Sequence, residues 1–210
     1  MYFRMTKPRP IIKGTTYLLT RRCARREFLL TPSKEVAQIF TYCLGVAAER
    51  HEMVIHAVCV LSNHYHLVAT DPKGNLPKFM QWMNEFIAKA LNAHYGRSES
   101  FWAPGSYNAV KLVEANDVAR KIVYTLNNPV AAGLVERHEH WPGLCTNPES
   151  MLGAQWSVER PTIYFGRRSK LPKYATVTFA ALPEVDERRF VRDVREMLTV
   201  EEVAQGEERK

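Results

Sequence analysis

Two histidines stand one residue apart in His64-Tyr65-His66, directly after Ser62-Asn63. The preceding run, Met53 to Leu61 (MVIHAVCVL), is apolar and β-branched and reads as a strand; His64 to Thr70 (HYHLVAT) reads as the strand that returns. Ser62-Asn63 is then a hairpin turn. Side chains at i and i+2 of a strand point the same way, so both imidazoles share a face and Tyr65 takes the other. A neutral imidazole is the commonest metal ligand, and two of them leave positions open for substrate oxygen or water. The same triplet also occurs in strands that bind nothing.

A second constellation lies in Lys121 to Val135 (KIVYTLNNPVAAGLV). Tyr124 and Asn128 are four apart on an expected helix and share a face. A phenolic oxygen can attack phosphorus and form a covalent phosphotyrosine. An amide oxygen can act as a hard ligand or orient a phosphate. Lys121, one turn before Tyr124, can favour phenolate or contact a phosphate. The plain alternative is a half-buried tyrosine in an amphipathic helix, with asparagine closing the helix ahead of Pro129.

The elements that must position these groups follow from periodicity. Residues 1–14 read as a basic arm. Thr15 to Thr20 reads as a strand, and Ser33 as the N-cap of a helix carrying Val36, Ile39, Phe40, Cys43, Leu44 and Ala47. After the histidine hairpin, Asp71 to Asn75 is a loop and Leu76 to Tyr95 a long helix ended by Gly96. Tyr107 to Val113 is a fourth strand. Asn116 or Asp117 caps the tyrosine helix, which Pro129 stops. The order β-α-β-β-α-β-α matches, in its first six elements, the split βαβ ferredoxin-like α+β arrangement: an antiparallel sheet with helices on one face and the other face free for a ligand or a further helix. Residues 146–210 form a C-terminal extension of unclear role, with a strand at Thr176 to Phe179, a helix at Asp186 to Leu198 and a frayed acidic tail from Glu201 to Glu208.

Composition bounds the partners. The chain has 210 residues, with 29 lysines and arginines against 22 acidic residues, a net charge of +7 and a pI near 9.3. The basic residues gather in Lys7, Arg9 and Lys13, in Arg21, Arg22, Arg25 and Arg26, and in Arg167, Arg168, Lys170 and Lys173. Each cluster alone could be solvated surface; three together favour a phosphate backbone as partner. Cys23, Cys43, Cys59 and Cys145 are too far apart in sequence for a zinc knuckle or redox pair and read as reduced thiols. No run is long and apolar enough to span a bilayer, so no membrane partner is expected, and the expected location is the cytoplasm, at the nucleoid.

The stretch Ile55 to Val68 (IHAVCVLSNHYHLV) resembles the histidine strand of the single-tyrosine HUH transposases, and most of all the REP-associated tyrosine transposase branch, whose usual form is close to HAYVLMPNHVHLL. Tyr124 to Val130 with Ala132 to Val135 resembles that branch's YIxxNPVxAGLV segment, and Phe101-Trp102 with the strand from Tyr107 resembles its lWqrgYyd region. The likeness covers about residues 12–145. Tyr65 stands where the residue is usually aliphatic, and Ser62 replaces a proline.

The resemblance implies that His64 and His66 hold Mg²⁺ or Mn²⁺, with Asn128 as a third ligand or a site-ordering group where related insertion-sequence enzymes carry glutamine. Tyr124 is the implied nucleophile, forming a 5′-phosphotyrosine and freeing a 3′-OH. The implied partner is single-stranded DNA with a small palindromic hairpin, held by the arginine clusters and by Trp102, Phe101 or Tyr107 stacking on unpaired bases. The protein is a monomer or a homodimer on this reading. A hairpin-binding regulator without catalysis, a metal nuclease that activates water, and a replication-initiator or relaxase type of HUH protein are the alternatives. Histidines that precede the tyrosine favour the transposase over the last.

Overall fold

The computed structural model describes residues 11–166 and 169–208. Most of the N-terminal arm, with Lys7 and Arg9, and the pair Arg167 and Arg168 lie outside the described residues. The elements are β1 (Thr15–Arg22), α1 (Lys34–His51), β2 (Val54–Leu61), β3 (His64–Asp71), α2 (Leu76–Tyr95), β4 (Asn108–Leu112), α3 (Ala115–Ala131), β5 (Leu152–Glu159), β6 (Tyr174–Ala180) and α4 (Glu187–Glu208).

The first four strands lie in the order β4-β1-β3-β2, all antiparallel, as the ferredoxin-like reading requires. The extension departs from that frame. β6 joins the outer edge of β2 through a parallel pairing of Ile55 with Phe179, and β5 follows it, giving a mixed six-stranded sheet. Gly45, inside α1, permits this: a Cβ there would meet the Ala175 side chain and the Thr176 backbone of β6 at 3.2 Å.

Strand alternation divides the interior in two. Tyr17, Leu19, Tyr65 and Leu67 face α1 and α2 in the larger core, where Phe40, Phe79, Met80 and Met83 are fully buried. Leu18, Ala57 and Val68 face the other way, against Val118, Ile122 and Leu126 of α3 and against Phe190, Val194 and Leu198 of α4. The face expected to be free thus carries the tyrosine helix and a further one. Tyr65 turns away from the histidines as its position demands; it is wholly buried against Phe40 and Trp102, and its hydroxyl donates to Asn84 Oδ1 at 2.8 Å.

Local chemistry sets the helix ends. Ser33 Oγ accepts from Val36 N at 3.1 Å, and Gly96 closes α2 at φ 63°. Asp71, expected in a loop, is a buried cap: its carboxylate accepts from the backbone N–H groups of Lys73, Gly74, Asn75 and Leu76. Two expectations for α3 are corrected. Glu114, not Asn116 or Asp117, occupies the N-cap, and Pro129 lies inside the helix, which runs on to Ala131. The helix closes two residues beyond the proline, where Gly133 N donates to Val130 O and Leu134 N to Pro129 O. The acidic tail is helical, not frayed: Glu202 is buried and accepts from both the backbone N and Nδ1 of His138 at 2.7 Å.

A buried polar chain crosses the sheet. Thr16 Oγ1 on β1 meets Thr70 Oγ1 on β3 at 2.7 Å; Thr70 meets His56 Nε2 at 2.7 Å; and His56 Nδ1 donates to Ala180 O on β6 at 2.7 Å. The carbonyl can only accept, so Nδ1 carries the proton of a neutral imidazole. Burial pushes the His56 pKa down to about 4, against a smaller opposing effect of the bond to Ala180.

Both of these buried contacts have measurable consequences. Below about pH 6.5 the unfolded chain binds a proton at His56 that the folded chain refuses, so stability falls from that pH to about 4. The unfolding free energies of the wild type and His56→Gln, measured with urea, should converge by on the order of 3 kcal/mol across this window; a difference independent of pH rejects the assignment. Tyr65→Phe strands the Asn84 oxygen and should lower stability by about 1–3 kcal/mol, read from the same titrations at pH 7.

Candidate active site

β1 and β3 run antiparallel with Thr20 opposite His66 and Arg22 opposite His64. Even-numbered residues of both strands therefore look towards α3. The His64 and His66 rings meet edge to face, with centroids 4.9 Å apart. His66 Nδ1 lies 3.0 Å from Thr20 Oγ1, and His64 Nδ1 donates to Asn63 Oδ1 at 2.7 Å. Each ring is thus held by one nitrogen, as metal-ligating histidines are. Burial, with the neighbouring His64 and Arg22 charges, pushes the His66 pKa down to about 3. His64 is lowered too, by burial and Arg22, against an opposing hydrogen bond from Asn128. Both rings are neutral near pH 7, the form that ligates a metal.

The tyrosine helix lies over this pair. The Tyr124 ring stands edge-on to His66 with centroids 5.2 Å apart, and Asn128 follows one turn later on the same helix, where its side chain opposes the lowering of the His64 pKa. Tyr124 is 46% exposed although it touches a buried histidine, so a substrate can reach it. Lys121 Nζ sits 5.4 Å from the Tyr124 ring centroid. Two imidazoles and an amide oxygen converge here, a donor set that fits a divalent ion with open positions. Among the described residues no group of three or more His, Cys, Asp or Glu could hold a metal, so no richer ligand cluster competes with this one.

The other expected DNA-binding residues separate. Arg22 reaches the histidine face, and Arg26 lines a cavity with Arg22, Asn63 and His64. Arg21, one residue out of phase, turns to the opposite face and donates to Gly105 O at 2.8 Å. Arg25 pairs with Glu27 at 2.9 Å. Trp102 is 7% exposed, packs on Tyr65 and Phe101, and donates its indole N–H to Asn84 O. Phe101 is likewise buried. Neither ring can stack on a base from there, contrary to expectation. Sequence reading missed Thr20 and Asn63. Extending the hairpin pairing to β1 would have found the first, whereas Asn63 was read only as a turn residue.

The match to known proteins covers the same elements. The family model described as "Transposase IS200 like" matches residues 12–122, which include the histidine hairpin and end just short of Tyr124. No curated protein sequence matches significantly. Among solved structures, the REP-associated tyrosine transposase bound to a REP hairpin is similar at a TM-score of 0.55 and 21% identity, over 66% of this chain and 80% of that one. A Deinococcus radiodurans R1 protein solved as a candidate transposase is looser, at a TM-score of 0.40 and 20% identity over 53% of this chain and 89% of its own. The first of these shares the fold, and the family model spans more than half of the chain, histidine pair included: this protein belongs to the IS200-like transposase family.

Proposed function

We propose that this chain is a single-stranded DNA endonuclease and strand-transferase that works through a 5′-phosphotyrosine intermediate on hairpin DNA. The observation that carries the reading is the seating of α3, which sets the Tyr124 ring edge-on to His66 at a centroid distance of 5.2 Å, with Asn128 one turn further along the same helix. Both halves of the site lie on the same chain, an arrangement that a monomer or either subunit of a homodimer can use. The solved neighbour was captured on a REP hairpin. A small palindromic hairpin is accordingly the substrate class proposed here, with no membrane partner: among the described residues no helix is long and apolar enough to cross one.

In this mechanism the Tyr124 oxygen attacks the scissile phosphorus in line as the phenol gives its proton to solvent. The bond from phosphorus to the 3′ oxygen breaks, and that oxygen takes up a proton from solvent and leaves as a 3′-OH. Lys121, whose Nζ lies 5.4 Å from the Tyr124 ring centroid, meets the phosphate charge. His64, His66 and Asn128 would hold Mg²⁺ or Mn²⁺, which when bound supplies charge stabilisation at the phosphate oxygens. The freed 3′-OH later attacks the phosphotyrosine and reseals or transfers the strand; the phosphodiester bond energy is kept in the covalent link, so no nucleotide cofactor is needed.

On labelled single-stranded hairpin oligonucleotides, wild-type protein should form an adduct that survives SDS, and Tyr124→Phe should form none. A normal adduct yield in the variant removes Tyr124 from the role of nucleophile. Replacing His64 and His66 together with alanine should abolish cleavage dependent on Mn²⁺ or Mg²⁺ while oligonucleotide binding, followed by gel shift, stays largely intact. Cleavage that survives the double substitution sinks the metal assignment.

A further inference from the structure

A cavity of about 310 Å³ opens beside His64, lined by Arg22, Arg26, Asn63 and His64. Every lining side chain is basic or can donate a hydrogen bond. Among the described residues neither Arg22 nor Arg26 forms an ion pair, whereas Glu27 on the same loop is occupied by Arg25 and Arg97. Of the four clustered arginines, two are thus tied down and two are left to meet an anion.

The loop that carries Arg26 is fixed. Cys23 N donates to Asn63 O at 2.8 Å and Leu30 N to Ser62 O at 2.8 Å, so both ends are tied to the turn that precedes His64. Asn63 Nδ2 reaches Arg26 O at 3.4 Å, and Leu29 and Leu30 are buried. Arg25 and Arg26 hold left-handed backbone at φ 50° and 59°, a conformation that L residues adopt only where their surroundings enforce it.

Phe28 stands on this loop between the two ties and is 70% exposed, the most exposed phenylalanine among the described residues. The Thr31 hydroxyl donates to its carbonyl at 2.7 Å and fixes its backbone. A lone exposed aromatic is ordinary. One held on a tied loop two residues from Arg26, whose side chain lines the cavity beside His64, has the parts of a nucleotide site: cations for phosphate and a ring face for a base.

We infer that Arg22, Arg26, Asn63 and Phe28 form a subsite for a single-stranded nucleotide flanking the scissile phosphate, with Arg22 and Arg26 on its phosphates and Phe28 stacked on its base. The inference rests on the single-strand nuclease reading above and supplies the exposed stacking ring that buried Trp102 and Phe101 cannot.

The test uses full-length Tyr124→Phe protein, so that no chemistry intervenes, and fluorescein-labelled single-stranded 20-mers of mixed sequence, with binding read by anisotropy at several salt concentrations. Arg22→Gln with Arg26→Gln should weaken binding about tenfold and reduce the salt slope by about 0.7 for each phosphate no longer neutralised. Phe28→Ala should weaken binding about tenfold with no change of slope, and Phe28→Trp should restore it. Lys78→Gln, exposed on α2 across the sheet, should bind as the parent does. Unchanged affinity in the arginine or Phe28→Ala variants, or an equal loss in Lys78→Gln, overturns the subsite. All four substituted positions are exposed, and unchanged thermal midpoints establish that the variants are folded. The two readings fail separately. Selective weakening of binding with no covalent adduct from wild-type protein keeps the subsite and removes the transferase; an adduct with binding unaffected does the reverse.

Discussion

The packing of α3 on the sheet fixes everything the site can do. Val118, Ile122 and Leu126 press on Leu18, Val68 and Ala57, each buried to within a few percent. Full burial of such side chains contributes roughly 1.5–3 kcal/mol apiece, so the helix has a strong preference for this face. The preference is also rotational. Successive residues of an α-helix differ by about 100°, so turning α3 by one position would bury Tyr124 or throw it to solvent, and take Asn128 with it. Leu18 and Val68 share strands with Thr20 and His66 and point the same way. The apolar contact that holds the helix and the polar contact that would do the chemistry are thus consecutive steps along one face.

The C-terminal extension reinforces this contact from outside. Phe190, Val194 and Leu198 of α4 cover the far side of α3, and the buried Glu202 fastens α4 to the segment after α3 through His138. The polar chain from Thr16 to Ala180 ties the extension to the strands that carry the histidines. An extension of this kind limits how far the tyrosine helix can lift from its own strand. The same packing that buries α3 keeps Tyr124 with the histidines of the same chain.

How much of this was legible in the sequence depended on whether a feature is set by spacing or by packing. The histidines at i and i+2, and Tyr124 and Asn128 at i and i+4, are fixed by strand and helix periods, and they emerged where those periods put them. β5 was not visible, because Leu152–Glu159 has few β-branched residues and alternates only after β6 covers one side. Glu202 read as tail because one buried carboxylate in an acidic run has no local signature. The arginine cluster could have been divided: had the first strand been extended to Arg22, parity alone would have separated Arg21 from Arg22. Trp102 could not have been placed, since an aromatic residue in a loop is equally at home under the sheet and on the surface.

The electrostatics of the site follow from the same burial. Putting His66 beneath α3 makes its charged form costly, and the guanidinium of Arg22 adds to that cost. The pair therefore offers neutral ring nitrogens without contributing charge, and the positive potential over the site comes from Arg22, Arg26 and Lys121, none of which forms an ion pair among the described residues. Glu27 sits close to that region but is taken up by Arg25 and Arg97. An incoming phosphate would thus meet free cations and neutral donors, while the acidic group nearest the cluster is already neutralised. Attraction of this kind falls off within about 8 Å in physiological salt, so it would act on a strand only once that strand lay along the α3 edge of the sheet. Orientation at that point would pass to the short-range contact of Tyr124 with His66, with Asn128 one turn further along the helix.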